Sequence, residues 1–141
     1  MKYEYTVIFD SQNPTAPARR QPLIEVELFG AKNSVKIENA LIDSGADYCL
    51  FNLQYALHIG VELKTCKTVS FTGIGGLNNP VLAYMTTLEL QPKHLNKIKI
   101  LIGFVDSDSV NALLGQVGFF DEYRIRFERD HQTFEIIPVK R

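Results

Sequence analysis

Asp43 is the residue of this chain best placed to do chemistry. It follows the apolar run Ala40-Leu41-Ile42 and opens the turn Ser44-Gly45-Ala46-Asp47. A carboxylate at the end of a buried strand is costly unless it is paired or faces a solvated cleft. Gly45 lets the backbone turn sharply and bring its amides close to whatever fills that cleft. A carboxylate held there can act as a general acid or base. Asp-Ser-Gly alone also suits an ordinary turn, because Asp and Ser bond locally to backbone and Gly accepts positive φ.

Other chemistries lack their residue patterns. Cys49 and Cys66 have neither metal spacing nor a C-x-x-C motif, and Cys49 reads as a buried free thiol. His58, His94 and His131 are scattered and read as structural or solvent-facing. No G-x-S-x-G elbow surrounds Ser44, which argues against a serine hydrolase. Asp106-Ser107-Asp108-Ser109 lacks the central Gly and terminal Glu of a calcium loop and reads as a polar loop. No metal site and no cofactor are expected.

The elements that must hold Asp43 read mostly as strands. Tyr3, Tyr5, Val7 and Phe9 alternate with polar residues, and 10–21 is a Pro-containing loop. Ile24, Val26 and Leu28 mark a second strand. Val35, Ile37, Asn39 and Leu41 mark one face of a third, which delivers Asp43. Asn52 caps a short helix that reaches His58, with Gly60 past its end; Tyr55 and Leu57 read as packing residues. Strands over 65–72 and 81–90 flank a Gly- and Asn-rich tip, which makes a hairpin. A phosphate-cradling loop would need a helix to follow that tip, and Asn78-Asn79-Pro80 argues against one. The apolar run over 98–105 is a buried strand. A short helix over 117–122 packs Phe119 and Phe120, and 123–127 with 133–137 form a closing hairpin.

Three features in order carry a resemblance: Asp43-Ser44-Gly45-Ala46 after an apolar strand, the glycine cluster Phe71-Thr72-Gly73-Ile74-Gly75-Gly76-Leu77, and Ala112-Leu113-Leu114-Gly115. Over roughly residues 23–120 the chain resembles the retropepsin-like aspartic proteases, with cellular and bacterial members the nearer relatives. The resemblance implies a mainly β fold, a closed barrel with one or two short helices, in a two-fold homodimer. It implies one domain over 1–141: an N-terminal strand and loop over 1–22, a protease core over 23–120 and a C-terminal hairpin over 121–141. Asp43 is then the catalytic acid. Ser44 bonds across the dimer beneath the catalytic pair, and Gly45 lets substrate approach. Ala46 and Asp47 meet substrate backbone, as do Gly73, Ile74, Gly75 and Gly76 of a flap over 71–80.

The motif occurs once, so a second Asp43 must come from another copy of the chain. The implied function is homodimeric aspartic endopeptidase action on extended or unfolded polypeptide. The alternative is a noncatalytic dimeric β-module of the same fold that binds a peptide or a protein partner. One departure stands out: the family's viral members carry Arg where this chain has Gln116, so Asp47 loses a cation that could hold it. Arg124 and Arg126 are the candidates to replace it.

Composition agrees with a folded domain. The chain has 141 residues, 45% hydrophobic and 22% charged, with a formal net charge of −1. A chain of this size buries roughly 68–70% of its unfolded surface. There is no basic patch for nucleic acid and no apolar run of the roughly 18–20 residues that would cross a bilayer. The N-terminus lacks the apolar core of a signal peptide, which makes the cytoplasm the default location.

Overall fold

Ile24, Val26 and Leu28 alternate with half-buried Glu25 and Glu27, and the strand they form packs all three into the core. The computed structural model describes residues 1–72 and 79–140. Strands β1 (Lys2–Glu4), β2 (Thr6–Ile8), β3 (Arg19–Gln21), β4 (Leu23–Phe29) and β5 (Ser34–Ile42) lead to the Asp43 turn. Next come β6 (Cys49–Asn52), α1 (Leu53–Ile59), β7 (Lys67–Phe71), β8 (Val81–Pro92) and β9 (Ile98–Val105). The order ends with β10 (Ala112–Leu114), α2 (Phe119–Glu122), β11 (Tyr123–Glu128) and β12 (Thr133–Pro138).

A barrel closes in the order β4-β5-β10-β6-β9-β8, with β8 pairing back onto β4 and β7 added outside β8. Closure removes the exposed edges that an open sheet would leave. The pairs β5–β10 and β6–β9 are parallel, and the other barrel pairs are antiparallel. β10 is inserted between β5 and β6, so the turn that joins those two strands must step over its end. That turn holds Asp43.

The phase of β5 changes before it reaches the turn. Ile24 faces Ala40 but Val26 faces Ile37, so a two-residue step on β4 meets a three-residue step on β5. The extra residue at Glu38–Asn39 is a bulge, which flips every later side chain to the opposite face. Ile37, Ala40 and Ile42 are therefore buried, whereas Asn39 is exposed and Leu41 half-buried. The face expected from Val35, Ile37, Asn39 and Leu41 holds only as far as Ile37. Unbroken alternation would have carried Asp43 on the core side; the bulge turns it outward.

The core is built from Val26, Leu28, Phe51, Phe104, Leu114, Phe119 and Phe134, all fully buried. Each such side chain contributes on the order of 1.5–3 kcal/mol relative to exposure. A smaller cluster of Leu50, Ala83, Met85, Val105 and Val110 lies against Tyr48, Phe71 and Leu113. Asn52 caps α1 by accepting from the Gln54 amide at 3.0 Å, and Gly60 ends it at φ 83°. Helix α1 starts one residue after the cap and runs to Ile59. Tyr55 packs on the core as read, but Leu57 is 54% exposed because it faces away from the barrel.

The N-terminus departs from the single expected strand. β1 pairs with β12 in the three-stranded sheet β1-β12-β11, while β2 pairs with β3 as a separate ribbon. The chain changes partner at Tyr5, whose amide bonds to the Gln132 carbonyl at 2.9 Å. Arg19–Gln21, read as loop, is the partner that takes β2. The closing hairpin β11–β12 is present, and Tyr3 stacks on Phe134 with centroids 5.3 Å apart. The hairpin β7–β8 is also present, with Phe71 opposite Val81 as its last pair. The flap residues Gly73, Ile74, Gly75 and Gly76 lie outside the described residues. No described helix is long and apolar enough to cross a membrane.

Candidate active site

β5 and β10 run parallel, and the Asp43 amide extends their ladder by donating to the Leu114 carbonyl at 3.0 Å. The chain then folds back on Asp43. The Gly45 amide donates to Asp43 Oδ1 at 2.9 Å, and the Ala46 amide donates to the Asp43 carbonyl at 3.1 Å. These two bonds fix the carboxylate at the head of the turn, the local Asp geometry of turns in general. Gly45 packs closely on it: a Cβ there would lie 3.3 Å from Asp43 Oδ1.

Asp43 is half-buried and opens into a cavity of about 400 Å³. Gly45, Ala46 and Asp47 border it on the turn side, and Tyr48, Leu50, Phe71, Val110 and Leu113 form an apolar wall. Phe71 meets Tyr48 edge-on with centroids 5.5 Å apart, which sets the last pair of the β7–β8 hairpin against the cavity. Ser44, Gly45 and Asp47 are exposed. Asp43, Gly45, Ala46 and Asp47 are thus brought together around one cavity. Ser44 lies in the same turn but is not among the residues that line the cavity.

Gln116 has a role the sequence did not disclose. Its Nε2 donates to the Ser44 carbonyl at 2.7 Å, while its amide donates to the Ala46 carbonyl at 2.8 Å. The Val117 amide adds a bond to the Asp47 carbonyl at 2.8 Å. The segment after β10 therefore clasps the turn along its whole length. Gly115 permits the close approach, since a Cβ there would lie 2.4 Å from the Tyr48 carbonyl oxygen and 2.6 Å from that of Ala46. Cys49 lies beneath, its Sγ accepting from the Gly115 amide at 3.3 Å; burial pushes its thiol pKa up. It is a free, buried cysteine, as read from its apolar neighbours.

Neither arginine offered as a replacement cation reaches Asp47. Arg126 pairs with Glu135 across β11–β12, with Glu128 3.9 Å away. Among the described residues no ion pair involves Asp47 or Arg124. Gln116 spends its amide on the Ser44 carbonyl rather than on the Asp47 carboxylate. The three histidines are exposed, and no group of three or more His, Cys, Asp or Glu among the described residues could hold a metal ion.

The comparisons bear on the fold and the family. A solved structure of a retropepsin-like aspartic protease from Rickettsia conorii shares the fold, with 17% identity and a TM-score of 0.54 over 96% of this chain and 99% of that one. No curated protein matches the chain in sequence. A family model described as aspartyl protease matches residues 24–117, from the first core strand of the barrel to the segment that clasps the Asp43 turn. On that match, the chain belongs to the aspartyl protease family.

Proposed function

We propose that the protein is a homodimeric aspartic endopeptidase whose active site uses one Asp43 from each of two chains. The observation that carries this reading is the Asp43 carboxylate, held by the Gly45 amide and open to a cleft beside an exposed turn. Peptide hydrolysis needs one group to take a proton from water and another to give one to the carbonyl. Two abutting carboxylates share a single proton and supply both roles. The motif occurs once in 141 residues, so the second carboxylate requires a second copy. A two-fold axis beside the turn makes the interface isologous.

In this reading Ser44 bonds across the axis beneath the pair, and Gly45 leaves room for the scissile carbonyl. Ala46 and Asp47 hold the substrate's main chain. Gly73, Ile74, Gly75 and Gly76, within a flap over 71–80, close over the peptide and exclude water. An extended polypeptide fits because its backbone can pair with the cleft as an added strand. The whole of 1–141 acts as one domain, with the core over 23–120 between the N-terminal segment 1–22 and the C-terminal hairpin 121–141.

The test is cleavage of a mixed peptide library across about pH 4 to 7, where a carboxylate pair sharing one proton can act, by the native chain and by Asp43→Asn. Sedimentation of both is measured in parallel. Cleavage lost in a variant that still dimerises supports the proposal. No cleavage by a folded native dimer at any pH would leave a noncatalytic peptide-binding module of the same fold.

A further inference from the structure

The Gln116 side chain ends on the Ser44 carbonyl, and that carbonyl belongs to the same peptide unit as the Gly45 amide. Gln116 Nε2 donates to the carbonyl oxygen at 2.7 Å, and the amide at the other end of the unit donates to Asp43 Oδ1 at 2.9 Å. The unit is planar and trans, so its C=O and N–H point in opposite directions. Pinning the oxygen therefore fixes where the Gly45 N–H points. Hydrogen bonds linked in this way also strengthen one another, by about 10–30% per bond.

Gln116 is itself anchored by its backbone. Its own amide donates to the Ala46 carbonyl at 2.8 Å, and Gly115 before it lies against the Tyr48 and Ala46 carbonyls. A change of side chain at 116 leaves both contacts in place. The Gln116 side chain is neutral, so it brings no charge to Asp43 and acts through its bond. Among the residues lining the cavity, the other titratable side chains are Asp47 on the turn and Tyr48 just after it. The lining residues of β6, β7, β10 and the segment 109–110 add none. In the dimer the partner's Asp43 joins them. All of these are the same in native and variant chains, so a difference between the chains reads Gln116.

We propose that Gln116 is a positioning residue for the Asp43 pair: through the Ser44–Gly45 peptide unit it aims an N–H at the carboxylate and favours the ionised form. This role rests on the reading of Asp43 as a shared catalytic carboxylate. A hydrogen bond donated to a carboxylate favours its charged state. Without the Gln116 bond the Gly45 amide is aimed less firmly and donates more weakly. The carboxylate then takes up its proton at a higher pH.

The experiment compares the full native chain with Gln116→Met, which keeps the length and loses the donor, and with Gln116→Lys, which keeps both reach and a donor. Peptide cleavage is followed against pH. The acid limb of kcat/KM reports the carboxylate pair rather than either residue alone. In Gln116→Met that limb is expected to move up by on the order of half a pH unit. In Gln116→Lys it should stay at the native position or move below it. A merely structural loss would lower cleavage alike at every pH. The Gly45 amide proton, read by NMR over the same range, should follow the protonation of Asp43, and should do so at higher pH in Gln116→Met. An acid limb or a Gly45 signal that keeps its native midpoint in Gln116→Met overturns the proposal. So does an equal upward move in both variants. The two readings fail separately. A moved Gly45 midpoint without any cleavage by the native chain refutes the protease and leaves the link from Gln116 to Asp43; cleavage with an unmoved limb does the reverse.

Discussion

Gly115→Ala should destabilise the protein where Gly45→Ala should merely disable it. At position 115 a Cβ would sit 2.4 and 2.6 Å from two backbone carbonyl oxygens, about an ångström inside ordinary contact. Backbone cannot rotate away, so the strand or the turn must slide. Overpacking of this kind costs about 1–3 kcal/mol. The slide also strains the bonds from the Gln116 and Val117 amides to the turn, each 2.8 Å long. At about 1 kcal/mol for each, the total is on the order of 3–5 kcal/mol. At position 45 the new methyl would meet only Asp43 Oδ1, at 3.3 Å, on an exposed turn. Its effect on stability should stay below about 1 kcal/mol. Urea unfolding at fixed protein concentration reads the difference, since protomer concentration shifts the stability of a dimer. With a slope of about 2 kcal/mol per molar, Gly115→Ala should lower the midpoint by roughly 1.5–2.5 M. Gly45→Ala should hold its midpoint and lose peptide cleavage. The reasoning is refuted if Gly115→Ala unfolds with the native chain, or if Gly45→Ala is the more destabilised of the two.

Asn52→Ala removes a helix cap and two bonds from Asn52 Nδ2 to the Ser107 and Val110 carbonyls, at 3.0 and 3.1 Å. It should cost about 2–3 kcal/mol, read by thermal melting, and raise KM because Ser109 and Val110 of that loop border the Asp43 cavity. Gln116→Ala should cost about 1 kcal/mol and lower cleavage by loosening the turn at Ser44, whereas an exposed amide with no structural duty would change neither. Burial pushes the Tyr3 and Tyr123 phenols from 10.0 up to about 12. The folded chain then holds these protons more tightly than the unfolded one. The stability they contribute is whole below pH 10.0 and falls as pH rises towards about 12. Urea midpoints followed with phenolate absorbance through that window test this, and a flat midpoint would contradict it.

Much of the barrel could be read because local and tertiary demands coincide in it. The alternation of Ile24, Val26 and Leu28, the Asn52 cap with Gly60, and the apolar run of β9 each satisfy one simple periodicity. The bulge in β5 was not legible, because Glu38-Asn39 differs in no local way from a regular strand pair; only the register against β4 reveals it. The division of the N-terminus is similar, since β2 becomes a separate ribbon by pairing with Arg19–Gln21. At the site, Asp43 and its turn announce themselves by residue type. Gln116 could be noticed only as a missing cation. Its bond to the Ser44 carbonyl joins residues 72 positions apart and follows from β10 lying between β5 and β6.

The most direct measurement of the central claim mixes native chains with Asp43→Asn chains under conditions that let subunits exchange. If each site needs two Asp43 carboxylates, only native pairs cut peptide. An equal mixture should then retain about a quarter of the activity of the same total of native protein. Retention of about half would mean that each chain works with its own Asp43 alone, and the shared site would be wrong.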